Sequence, residues 1–478
     1  MRKSSISLVV MALLSGCSVG PEYQQPDMQM NTVTASSGSR PELTDPTQPL
    51  ENEWWQLYQD DNLNGLVKEA LNANKELKVA EANLLKAQSV WEESKSRRLP
   101  STDLSSGVTY GDATQIAGTP SGSASTEQWS TSASLSIGWE SDLFGRVSKA
   151  IEAAKANEQM VAAVRDSVRV SVAAETTAAY LRACSYGHAI NVQRQALNNR
   201  QKQLDLIDAQ LAAGSITESE RARSVAIIER NHAYLQQLKG QRETALLRLT
   251  ALLGKMPAQM PDVAVACDEP PSLTARIPTG ELQSILRQRP DLRAAERQLA
   301  ADSAMVNVRM AELYPSVSIG ATGSYIDNDL ISSDESFSYF LGPLLSWRFP
   351  NVAETNARIA QAKAQAKASY AEFEQTVVDA LAEVETALSQ VATERKRYQS
   401  LKQSMMSFKR AYAIAQTRFD TGSSGLSEVL DRQSELLEAQ TQLAQSLQTL
   451  NDYHVSLFKS FGGGWQHTKQ TDDNNKEG

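Results

Sequence analysis

Side chains able to do chemistry are few in this 478-residue chain, and their spacing suits no reaction. The four histidines, His188, His232, His454 and His467, are scattered and give no metal-ligand spacing. No nucleophile elbow, phosphate loop or zinc-protease motif occurs. Met28, Met30, Met256 and Met260 suit apolar filling and tether positions better than soft-metal handling. The sequence therefore offers no catalytic residue, no metal site and no enzyme activity. Two carboxylates do stand out: Glu428 and Asp431 are spaced to share one face of a helix. Such a pair can bind cations, or can simply favour a helix start through its dipole. The net charge of −9, with no basic stripe to neutralise phosphates, excludes nucleic acid as a partner.

The three cysteines carry the remaining chemistry. Arg2 and Lys3 precede an apolar run from Ile6 to Leu14 that is too short to span a bilayer. The run ends in Leu14-Ser15-Gly16-Cys17, which resembles the lipobox of bacterial lipoproteins. On that reading residues 1–16 are a signal peptide and Cys17 carries a covalent lipid, the only non-protein group expected. Ser18, where an inner-membrane lipoprotein tends to have Asp, favours the outer membrane. Residues 17–50 read as a lipidated, extended tether rich in Pro, Gln, Ser and Thr, and 462–478 as a disordered tail. Cys184 and Cys267 remain, an even number in an oxidising compartment, which invites a disulfide. Two buried thiols is the alternative. A bond requires the chain to fold back after Gly254, which Pro257 and Pro261 make feasible.

What positions these residues is a duplicated unit. Leu77 to Tyr110 aligns without a gap on Leu292 to Tyr325, with Leu99-Pro100-Ser101 on Tyr314-Pro315-Ser316. After one short insertion, Trp139 falls on Trp347, Ala154-Lys155-Ala156 on Ala362-Lys363-Ala364, and Gly214 on Gly422. Residues 51–280 form the first repeat and 281–461 the second. Each predicts the order helix, strand, loop, strand, very long helix, tight turn, returning helix.

From Trp129 to Trp139 the alternate positions Trp129, Thr131, Ala133, Leu135, Ile137 and Trp139 are mostly apolar, and Ser or Gly stands between them. Lipid on one face and water on the other require this pattern. Val317, Ile319, Ala321 and Tyr325 repeat it; Leu104, Val108 and Tyr110 give a weaker copy. Phe337 to Trp347 predicts an untidy fourth strand, with Pro343 awkward for pairing. Four strands cannot close a barrel, and open edges are not tolerated in lipid, so several chains must share one. Three would leave a lumen. Phe144 to Ala213 and Val352 to Thr421 each predict a helix of about 70 residues, roughly 100 Å long.

This order, with its motifs, resembles the TolC-like outer-membrane factor family in its lipoprotein branch (OprM-like or NodT-like). The resemblance rests on Cys17-Ser18-Val19-Gly20-Pro21-Glu22-Tyr23, on Trp139-Glu140-Ser141-Asp142-Leu143-Phe144-Gly145-Arg146, on Arg289-Pro290-Asp291-Leu292-Arg293-Ala294-Ala295-Glu296, and on Thr421-Gly422 through Glu428-Val429-Leu430-Asp431. It implies a homotrimeric channel-tunnel, mainly α with a membrane β-barrel: a shared 12-stranded barrel, an α-helical periplasmic barrel and a mixed equatorial belt. It implies an outer-membrane exit duct for small molecules in a tripartite efflux system. The implied partners are outer-membrane lipid, a periplasmic adaptor and an inner-membrane transporter. It places a periplasmic gate at Glu428, Asp431 and Glu220, and adaptor-docking tips at Gly214, Ser215, Gly422, Ser423 and Gly425. Two departures are visible. Ser424 stands where TolC-like tips can carry an Arg that clasps the acidic position matched by Glu220, leaving Arg418 or Arg432 as substitutes or a weaker clasp, and the second strand-to-helix junction, Trp347 to Val352, lacks a Gly turn. A type I secretion duct and a non-conducting lipid-anchored spacer are the competing functions.

Overall fold

The computed structural model describes residues 19–26, 44–45, 53–112, 127–273, 277–278, 288–328, 336–350 and 352–463. Cys17 and the tail beyond Gly463 lie outside them, as do parts of the expected tether. The principal elements are α1 (Asp61–Ala73), α2 (Lys75–Ser96), β1 (Ser101–Asp112), β2 (Glu127–Ser141), α3 (Arg146–Ala212), α4 (Glu218–Leu252), α5 (Pro290–Ala311), β3 (Ser316–Asn328), β4 (Phe337–Ser346), α6 (Val352–Asp420) and α7 (Leu426–Ser460). Helix, two strands, long helix and returning helix thus occur twice. The chain divides into two compact units. Of the described residues, one takes 19–26, 83–112, 127–162, 294–328, 336–350 and 352–374; the other takes the rest.

The first unit holds an antiparallel sheet in the order β1-β2-β3-β4. Leu104 pairs with Leu135, Ile137 with Ala321, Tyr110 with Trp129 and Tyr325 with Phe337. Because strand side chains alternate, this register collects the apolar positions of all four strands on one face. Pro343 is accommodated in β4, an edge strand of this sheet, opposite Ile319. Phe340 and Leu344 break the pattern and project on the other face, where they lie over Gly320.

In the second unit the core gathers around Trp54, which is fully buried and stacked on Phe458 with ring centroids 4.6 Å apart. Leu63 and Val67 of α1, Tyr180 and Leu181 of α3, Leu249 of α4, Val384 of α6 and Leu457 of α7 complete it. The long helices have no single apolar stripe. Their contacts are made by small residues such as Ala173, Ala183, Ala387 and Ala439, which let backbones approach closely.

Candidate functional site

The sheet's apolar face is exposed. Leu104, Trp129, Leu135, Ile137, Leu341 and Leu345 are all open to the surroundings, while the facing positions are mostly Ser, Thr and Gly. Aromatics mark its limits. Tyr110 packs on Trp129 at 5.2 Å at one end. At the other end Trp139 Nε1 donates to the Arg98 carbonyl at 2.9 Å, and Trp347 Nε1 donates to the Leu313 carbonyl at 3.2 Å. These two bonds join equivalent positions of the two repeats. No helix among the described residues is long and apolar enough to cross a membrane. The sheet is the element whose surface suits lipid.

The sequence motifs around the sheet turn out to build its attachments. Glu140 accepts from Arg146 Nε at 2.9 Å, and Asp142 caps α3 by accepting from the amides of Val147 and Ser148 at 2.8 and 2.7 Å. Gly145 takes φ +79°, and Phe144 stacks on Tyr314 at 4.8 Å. The second junction turns instead through a cis Phe349–Pro350 peptide. A polar cavity of about 290 Å³ lies here, between Asp142, Arg146, Glu312, Arg348 and Arg358. Residues 19–26, part of the expected tether, are held rather than loose. The Asn307 side chain donates to the Pro21 carbonyl at 2.9 Å, and the Tyr23 hydroxyl donates to Glu296 at 2.6 Å. Any Cβ on Gly20 would collide with Asn307. Burial and the Glu296 carboxylate raise the Tyr23 phenol well above its ordinary range, so it stays a donor. In the second unit Arg289, also nearly buried, donates to the Ser460 carbonyl at 2.6 Å and pairs with Asp291 and Glu383 at 2.7 Å each.

The two hairpin tips end their helices alike. Gly214 and Gly422 adopt φ +73° and +72°; the Ser215 amide returns to the Gln210 carbonyl at 2.9 Å and the Ser423 amide to that of Arg418 at 2.8 Å. Gly214, Ser215, Gly422, Ser423 and Gly425 are all exposed. The acidic residues have distinct partners. Glu220 closes a capping box, accepting from the Thr217 amide at 3.0 Å. Glu428 pairs with Arg418 at 3.1 Å, and Arg432 pairs with Glu435 instead. Asp431 on α7 lies 3.7 Å from Arg223 on α4. Sequence reasoning missed Arg223. The signal was available, since Arg223 and Asp431 occupy equivalent places in the two repeats with opposite charge. Glu220, Glu428 and Asp431 therefore lie near the tips, but each is held by its own partner and they form no single cluster.

The model of the family described as "Outer membrane efflux protein" matches residues 66–255 and 282–463. The chain belongs to that family. It is an outer membrane efflux channel, not an enzyme, with a TolC-like fold of long helices and four antiparallel strands per chain. It is similar to the solvent efflux pump outer membrane protein SrpC of Pseudomonas putida, at 26% identity over 97% of this chain and 99% of that protein. It is also similar to nodulation protein T of Rhizobium leguminosarum bv. viciae, at 25% identity over 96% and 93%. Among solved structures, the outer-membrane channel OprN superposes with a TM-score of 0.84 at 29% identity, covering 94% of this chain and all of that one.

In this efflux channel Cys184 and Cys267 are joined by a disulfide, with Cα atoms 4.8 Å apart. After α4 the chain turns at Gly254 and makes a single helical turn, Asp262–Val265, that returns Cys267 to α3. Arg242 clamps the same segment, donating to the carbonyls of Val265 and Cys267 at 2.8 Å each. The cross-link closes a long loop, so replacing both cysteines by Ser is expected to lower stability by about 2–4 kcal/mol. Thermal unfolding of the purified variant, and thiol titration of the denatured wild type, check this. Two titratable thiols besides Cys17 in protein taken from the periplasmic side would overturn the pairing.

Proposed function

We propose that three copies of this chain share a twelve-stranded barrel, four strands from each, and form the passive exit duct of a tripartite efflux pump. Its partners are a periplasmic adaptor and an energised inner-membrane transporter, and Cys17 carries the lipid anchor. The observation that carries this reading is the four-stranded sheet, apolar and exposed on one face, with β1 and β4 each leaving an edge unpaired among the described residues. Such edges have no place in lipid unless other copies cover them. SrpC is named for solvent efflux, which supports small molecules as the cargo.

The gate belongs to the same proposal. An exposed pair such as Arg223–Asp431 contributes only about 0–1 kcal/mol, too little to lock an entrance alone. The carboxylates act mainly through their field: repeated around a three-fold axis they bind cations and repel anions. Trimers of the Asp431→Ala, Glu428→Ala double variant in planar bilayers are expected to lose cation selectivity and divalent-cation block. Unchanged selectivity would reduce both residues to helix-end stabilisers. A wild-type trimer without conductance would favour the spacer, and export of a polypeptide with unaltered solvent and drug susceptibility in a deletion strain would favour type I secretion. Palmitate labelling lost in Cys17→Ser tests the anchor.

A further inference from the structure

We propose that a cavity between α6 and α7 in the second unit is a binding site for a small tetrahedral oxyanion of the phosphate class. The cavity has a volume of about 240 Å³. Arg395, Tyr398, Gln399 and Lys402 line it from one face of α6, at the spacing that stacks side chains along a helix, Leu450 and His454 line it from α7, and Leu273 and Ile277 complete the wall. Among the described residues no carboxylate lines it. Glu394, the nearest acid in sequence, is turned away, accepting from Ser446 at 2.5 Å and pairing with Arg397 at 2.8 Å.

One observation beyond the shape points to a ligand. Among the described residues neither Arg395 nor Lys402 has an ion-pair partner, so two cationic groups face one cavity and no described residue supplies a counter-charge. His454, only 7% exposed, closes the cavity on the α7 side; its Nδ1 is shut off from the cavity and makes no contact with the ligand. Burial and the Arg395 charge depress the His454 pKa to about 4, so the ring is neutral at neutral pH and adds no charge to the wall. Guanidinium, ammonium, phenol and carboxamide together present more donors than a single carboxylate can accept, which favours four acceptor oxygens over two. The site ties α6 to α7 through the ligand, with Leu450 as an apolar wall. Nothing in the channel reading requires it, and its failure would leave that reading intact.

The test uses the assembled protein in detergent and inorganic phosphate as the probe, titrated calorimetrically against chloride at equal ionic strength. Wild type is expected to bind phosphate saturably and to unfold at a higher temperature in its presence. Arg395→Gln with Lys402→Gln is expected to weaken binding by roughly tenfold or more and abolish the thermal shift. Both positions are half-buried or exposed, so the fold should tolerate them. Lys396→Gln with Lys409→Gln removes the same charge from exposed positions of α6 outside the cavity and is expected to change neither readout. Absence of saturable binding in wild type, or equal weakening by the two double variants, would overturn the proposal.

Discussion

Leu135→Arg is expected to prevent assembly in the outer membrane, whereas Ser134→Arg, one residue away, leaves the assembled amount near wild type. The two side chains leave β2 on opposite faces. Leu135 is exposed and pairs across to Leu104, midway between Trp129 and Trp139. Ser134 pairs with Ser105 and Ser324 on the polar face. An Arg at the centre of a lipid-facing strand costs about 2–4 kcal/mol, and each copy of the chain would bear that cost. The same charge facing water costs little. Immunodetection in outer-membrane fractions, with heat-modifiable mobility as the measure of assembly, gives the readout. Equal assembly of the two variants would mean that the sheet does not face lipid in the sense its side chains suggest.

The alternation that makes this prediction possible was legible from residue order alone, because a period of two needs no partner to be seen. The long helices were legible for a similar reason: from Arg146 to Ala212 and from Val352 to Asp420 no proline interrupts the chain. Gly214 and Gly422 marked the turns because each takes a left-handed conformation that other residues avoid. What could not be read were contacts set by the packing of one helix on another. Arg418 and Arg432 were both open as partners of Glu220, yet within the chain Arg418 pairs with Glu428, Arg432 with Glu435, and Glu220 with the Thr217 amide. The role of Arg289 was equally hidden, since its acceptor, the Ser460 carbonyl, belongs to a helix end distant in sequence. The tether misled through composition. Polar and proline-rich residues do read as extended chain, yet Tyr23 and Pro21 dock on α5 through bonds that no local pattern announces.

Gly422→Trp is expected to abolish efflux while the protein still assembles, and Gly422→Ala to reduce efflux far less. The structure separates two effects that a single substitution would confuse. Gly422 holds φ +72°, so any side chain there carries strain of roughly 1–2 kcal/mol. Apart from the adjoining residues, no described residue lies within 4 Å of a Cβ built at that position, so a side chain can leave the backbone there without a clash. Ala and Trp therefore share the backbone strain, and only Trp fills the space in front of the tip. If the tips serve only as turns, the two variants should behave alike, each losing a little stability and little transport. If an adaptor packs against the tips, the indole occupies its seat and transport fails, although the chain itself folds. Gly214→Trp repeats the comparison in the first repeat, where φ is +73° and the space is equally open. Drug or solvent susceptibility of cells carrying each variant, read beside cross-linking of the assembled protein to its adaptor, gives the answer. Normal resistance with Gly422→Trp would place adaptor docking elsewhere on the molecule.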